Sequence, residues 1–142
     1  MTFMLHFEIE ITPVAKGRPR YARRGNFVQT YTPTKTREYE DVIRENAKMA
    51  MGMSDPLETP LNVYLCFGMP IPSSTPKKAL EGYLDGSVKH IKKPDLDNLA
   101  KAVLDAMNGV VYLDDNQICR LTIEKNYDIV PKISISVREE VD

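Results

Sequence analysis

One short stretch, KKPDLDNLAKAVLDAMNGVVYLDDNQI, spanning Lys92–Ile118, holds among its charged residues four closely placed acids, Asp95, Asp97, Asp114 and Asp115, with Lys101 between them. Carboxylates at this density suit a hard divalent cation. Mg²⁺ prefers oxygen and is usually held by a few carboxylates, waters and a substrate phosphate. Such an ion activates water and stabilises both the attacking and the leaving oxygen in phosphodiester cleavage. A lysine beside the carboxylates can neutralise charge developing on the phosphorus centre. Each acid alone has a plainer use: one at a helix start is a cap, and an Asp-Asp pair is a turn.

The elements that must position these residues follow from local pattern. Pro94 biases Lys93 toward an extended conformation, and a helix begins with Asp95 or Asp97 as its cap. Leu99, Ala100, Val103, Leu104 and Met107 form one apolar stripe at helical spacing, with Asp97, Lys101, Asp105 and Asn108 on the other side. Asp97 and Lys101, four apart, are surface neighbours. Asn108-Gly109 stops the helix. Val110–Leu113 reads as a short strand that Asp114-Asp115 ends. A strand–turn–helix–turn–strand unit would bring Asp95 and Asp97 near Asp114 and Asp115.

The wording of this stretch is distinctive. KPDLDNLAKAVLDAMNG followed by DDNQI resembles the RusA family of Holliday junction resolvases. PVAKGRPR near the amino terminus, the YTPTKTREYE that follows and the overall length are similar to that family too. The resemblance covers nearly the whole chain and is most specific over Lys93–Gly109. It implies a homodimer that uses Mg²⁺ or Mn²⁺ to resolve four-way DNA junctions by paired nicks in recombination and repair. The family's essential acids match Asp95, Asp97 and one of the terminal pair, with Asp115 ahead of Asp114; both are kept as metal ligands. Its essential lysine matches Lys101. Two other readings stay open: a flap, fork or RNA nuclease of the same metal-dependent class, and a non-catalytic DNA-binding module whose acids only cap and turn the fold.

At 142 residues the chain is expected to be one domain, 1–142. The net charge of −1 excludes a globally basic nucleic-acid binder, but the charge is unevenly spread. Residues 1–48 carry nine Lys/Arg against six Asp/Glu, and residues 102–142 carry four against eight. A DNA enzyme needs both signs, cations for phosphates and acids for metal. Cys66 and Cys119 lie in apolar runs without a CxxC pattern, which suggests buried free thiols in a reducing cytoplasm. MTFMLHFEIEI lacks a charged leader region and is not a signal peptide. No apolar run is long enough to span a membrane.

Along the chain, Phe3–Ile11 reads as a strand. Lys16, Arg18, Arg20, Arg23 and Arg24 place five cations in nine residues, on a segment that Gly17, Pro19 and Gly25 keep irregular. Arginine forks grip phosphate, and Tyr21 and Phe27 supply rings for stacking, so this loop is a DNA-contact candidate. Residues 33–53 read as a helix with Tyr39, Val42, Ile43, Ala47, Ala50 and Met51 as its apolar face. Met49, Met51 and Met53 suit a core or a dimer seam. Leu61–Phe67 is an apolar strand. Ser73–Leu84 suits a short helix capped by Ser74 or Thr75. Lys89, Lys92 and Lys93 add cations just before the acidic stretch, and His90, without partner ligands, is a poor zinc candidate. Gln117–Tyr127 and Lys132–Arg138 alternate as strands and suggest a hairpin. Mixed elements without regular alternation indicate an α+β fold around one mixed sheet.

Overall fold

The computed structural model describes residues 3–17, 20–25, 27–31 and 34–140, and over 20–24 and 27–31 it describes the backbone alone. Strand β1 (Met4–Ile9) precedes the pair β2 (Arg20–Arg24) and β3 (Phe27–Tyr31). Helix α1 (Thr34–Met51), strand β4 (Leu61–Pro70), helices α2 (Lys77–Asp85) and α3 (Leu96–Met107), and strands β5 (Ile118–Asp128) and β6 (Lys132–Glu139) follow. The main sheet has the order β1-β6-β4-β5. β6 runs antiparallel to both β1 and β4, and β4 and β5 are parallel. The fold is α+β around one mixed sheet, as the sequence implied.

Alternation decides which face is covered. Leu61, Val63, Leu65, Phe67 and Met69 of β4 and Ile133, Ile135 and Val137 of β6 are buried, with more exposed residues between most of them. Leu5 and Ile9 of β1 extend this layer. Thr36, Tyr39, Glu40, Ile43, Ala47 and Met51 form the buried stripe of α1. On α3 the buried set is Leu99, Ala100, Ala102, Val103, Ala106 and Met107. Three of these six are alanines, and α3 packs on α1. The parallel join of β4 to β5 requires a crossover, and α2, α3 and the acidic pair all lie on it.

Several expectations are corrected. β5 and β6 do not form a hairpin, because β4 lies between them. Their link, Ile129-Val130-Pro131, can reach about 10 Å, roughly two strand spacings, so it clears β4 as readily as it would turn a hairpin. The cationic segment is not irregular throughout: Arg24 pairs with Phe27 and Arg20 with Tyr31, and Gly25 turns the chain at φ +62°. α2 has Pro76 at its N-cap and no side-chain cap. Met51 enters the core, but Met49 and Met53 are exposed. Cys66 is half-buried and Cys119 exposed, because Cys119 lies on an edge strand whose residues 119–122 all face solvent.

Candidate active site

The entry to α3 is pinned from below. Lys125 on β5 donates from Nζ to the carbonyls of Lys92 at 2.8 Å and Pro94 at 3.0 Å. Asp95 then takes the N-cap position in extended geometry, and its carbonyl accepts the Leu99 N–H at 3.1 Å. Its side chain caps nothing, contrary to expectation, so an exposed carboxylate is left at the positive end of the helix. Asp97, in the first turn and also exposed, accepts the Asn98 N–H at 3.0 Å.

Lys101 pairs with Asp105 rather than Asp97, Nζ to Oδ1 at 3.2 Å. The other oxygen of Asp105 lies 3.4 Å from Lys16 Nζ, and Lys16 also bonds Glu40 Oε1 at 2.5 Å. Burial by itself would push the Lys16 ammonium down; Glu40 and Asp105 outweigh it and hold it above the usual lysine value. The backbone at this point is fixed as well. Lys16 N–H donates to the Asn98 carbonyl at 3.0 Å and Gly17 N–H to Thr36 Oγ1 at 3.2 Å.

After α3 the chain turns at Gly109, φ +78°. Val110–Leu113 is not a strand; it is a turn with isolated bridges from Tyr112 to Leu57 and Asn108. Tyr112 is fully buried and donates its hydroxyl to the Leu104 carbonyl at 2.7 Å, which folds the segment back on α3. The acidic pair then divides its labour. Asp114 caps a single 3-10 turn, Asp115–Gln117, accepting the Asn116 N–H at 3.1 Å while Gln117 Oε1 accepts the Asp114 N–H at 3.0 Å. The Asn116 N–H bond holds the Asp114 carboxyl below the usual range. Asp115 donates its N–H to Asn108 Oδ1 at 3.0 Å. Its carboxyl is pushed up by burial and by the neighbouring Asp114 and Asp105 carboxylates, with Lys101 opposing.

This donor set fits a hard cation in type. A carboxylate raised by like charges is one that a divalent ion would relieve. The acids are nevertheless strung out rather than gathered. Asp97 and Asp105 are eight residues apart on one helix, about 12 Å along its axis. Among the described residues no three His, Cys, Asp or Glu side chains converge closely enough to hold a metal ion. Asp115 lies instead toward the Lys101–Asp105 end of the array.

The family model for endodeoxyribonuclease RusA matches residues 10–138. The chain belongs to the RusA endodeoxyribonuclease family. It is also similar to the uncharacterized protein YqaN of Bacillus subtilis strain 168, with 31% identity over 138 residues, 95% of this chain and 96% of that one.

The remaining candidate residues of this RusA-family chain lie around the array. Lys89, Lys92 and Lys93 are exposed on the approach to α3. Arg20, Arg23 and Arg24 lie on β2, where only the backbone is described, and Arg18 lies outside the described residues. His90 packs 5.0 Å from the Tyr127 ring, and burial, then Lys125 and Lys92, push its imidazole down. No helix among the described residues is long and apolar enough to cross a membrane. Sequence reasoning missed Glu40, Asp105, Asn108 and Lys125 as site-building residues. Two of them carried a signal: Asp105 is four residues from Lys101, and Glu40 falls on the same helical stripe as Thr36, Ile43 and Ala47.

Proposed function

We propose that this RusA-family chain is a divalent-metal-dependent, structure-selective DNA endonuclease that resolves Holliday junctions by paired nicks, acting as a homodimer in recombination and repair. Asp95, Asp97 and Asp115, which do not converge among the described residues, would have to be drawn together by the ion and the DNA phosphate to hold Mg²⁺ or Mn²⁺, with Asp114 contributing through its cap of the 3-10 turn. The ion, when bound, supplies an activated water and charge stabilisation at the phosphate. The observation that carries the reading is Asp115: a partly buried carboxylate among like charges, beside Lys101, in a chain of this family. Lys101 can donate to a non-bridging phosphate oxygen while it keeps its bond to Asp105, because an ammonium has three donors. The exposed Lys89, Lys92 and Lys93 and the β2 arginines would bind flanking backbone.

The test is nicking of a synthetic four-way junction with Mg²⁺, beside a flap and a plain duplex of matched sequence. Symmetric, metal-dependent nicks confined to the junction are expected. Equal cutting of flap or duplex would replace the junction assignment with a broader nuclease; binding without cutting would leave a DNA-binding module. Asp95→Asn and Asp97→Asn are expected to abolish nicking while junction binding holds or tightens, because each removes a ligand and also a charge that repels phosphate. Near-parental nicking by either variant at limiting Mg²⁺ would rule its carboxylate out as a ligand.

A further inference from the structure

Lys16 opens the cationic segment, yet its ammonium points into the protein. It belongs to a chain of alternating charge: Glu40 on α1, Lys16, then Asp105 and Lys101 on α3. Side-chain exposure climbs along this chain from 10% at Glu40 through 21% and 23% to 61% at Lys101. A carboxylate as buried as Glu40 requires a counter-ion, and Lys16 supplies it. A lysine has three donors and no acceptor, so Lys16 can also serve Asp105. Asp105 uses a different oxygen for each lysine, Oδ2 toward Lys16 and Oδ1 toward Lys101, and so bridges the two. With two carboxylates within 3.4 Å, the surroundings of Lys16 are net negative and ill suited to phosphate.

We infer that Lys16 and Glu40 are positioning residues: through Asp105 they hold the Lys101 ammonium in place for the phosphate, so that Lys16 supports the rate of cleavage rather than the affinity for DNA. This rests on the proposed role of Lys101. Without Lys16, Asp105 loses its inner partner and is free to rotate, and Lys101 follows it. The loop itself would stay anchored, since its bonds to Asn98 and Thr36 come from the backbone of Lys16 and Gly17.

The experiment measures, for each variant, the single-turnover rate on a four-way junction at saturating protein in Mg²⁺. It also measures junction affinity against salt in chelator and the melting temperature. Lys16→Met is expected to slow cleavage on the order of 10- to 100-fold, the scale of a misplaced catalytic group, with affinity and salt slope unchanged. Lys16→Arg should recover most of the rate. In a Lys101→Ala background, Lys16→Met should cost nothing more, because it acts through Lys101. If Lys16→Met alone leaves Glu40 too poorly compensated to fold, Lys16→Met/Glu40→Gln carries the same expectations. An unchanged saturated rate would overturn the inference, as would weaker binding with a shallower salt slope, which marks a phosphate contact. An additive loss on top of Lys101→Ala would overturn it too. A parent protein that nicks no junction would remove the functional reading and this inference together, whereas a cleaving parent with indifferent Lys16 variants removes this inference alone.

Discussion

Asp115 sits where its charge is resisted. Its carboxyl titrates above the ordinary value because of burial and the carboxylates of Asp114 and Asp105. A raised acid binds its proton more tightly in the folded state than in the unfolded one. Folding stability therefore falls as pH rises through the window between the unfolded value and the raised one, and the cost is fully present above it. Asp115→Asn is isosteric and uncharged. In chelator at neutral pH it should melt slightly above the parent, with the advantage shrinking below the raised value. Mg²⁺ should then raise the melting temperature of the parent and leave the variant unmoved. A variant that melts below the parent in chelator, or one that Mg²⁺ still stabilises, would exclude the like-charge account. The division between Asp114 and Asp115 was partly legible. Asp114-Asp115-Asn116-Gln117 has the spacing of a capping box, which marks its first acid as structural. The partial burial of Asp115 was not legible, because it comes from Asn108 and the folded-back turn.

At the scale of elements, α3 was the most readable part: its start after Pro94 and its stop before Gly109 agree with the structure, and of its stripe Leu99, Ala100, Val103 and Met107 are buried, Leu104 is only partly so, and Ala102 and Ala106 join the buried face. Val110–Leu113 misled because its β-branched and aromatic residues suit a strand, and the buried Tyr112 hydroxyl bond to Leu104 won over that preference. The β2–β3 pair carried its own signal, a two-residue Gly25-Asn26 link, which is the spacing of a tight hairpin. Its dense cations made it look like an open loop. A paired ribbon holds its arginines at a fixed spacing, which suits a regular phosphate backbone. Arg20→Ala/Arg24→Ala should therefore weaken junction binding and flatten the log–log salt slope by up to about two, at roughly 0.9 per phosphate contact on B-DNA. The saturated cleavage rate and the melting temperature should stay close to parental. A lower melting temperature with an unaltered slope would instead make these arginines internal partners.

At the scale of the whole molecule, fold class could be read from the mixture of elements, but strand order could not. Periodicity tells which residues of β6 face inward, fails over residues 119–122 of β5, and says nothing about whether β4 lies between the two strands. The crossing at that end depends on Gly68, which pairs with Asn126 of β5 and Lys132 of β6. A Cβ at Gly68 would meet Asp128 Cβ at 2.9 Å and its Oδ2 at 3.0 Å. The carboxylate could swing away, but a Cβ moves only with its backbone, and Asp128 holds the link by accepting the Val130 N–H at 3.2 Å and pairing with Lys132 at 3.7 Å. Gly68→Ala should therefore destabilise by about 1–3 kcal/mol, the usual cost of overpacking. Asp128→Gly loses the link's contacts and should destabilise alone. Combined, the two should cost less than their sum, because the second removes the atom that the first strikes. Asp128→Ala keeps that Cβ and should give no such relief. Urea melts of the parent, the single variants and the two doubles check this, and additive losses in Gly68→Ala/Asp128→Gly would show that the close approach at Gly68 does not set the cost. Neither residue belongs to the acidic array, so the folded variants should cleave at the parental single-turnover rate.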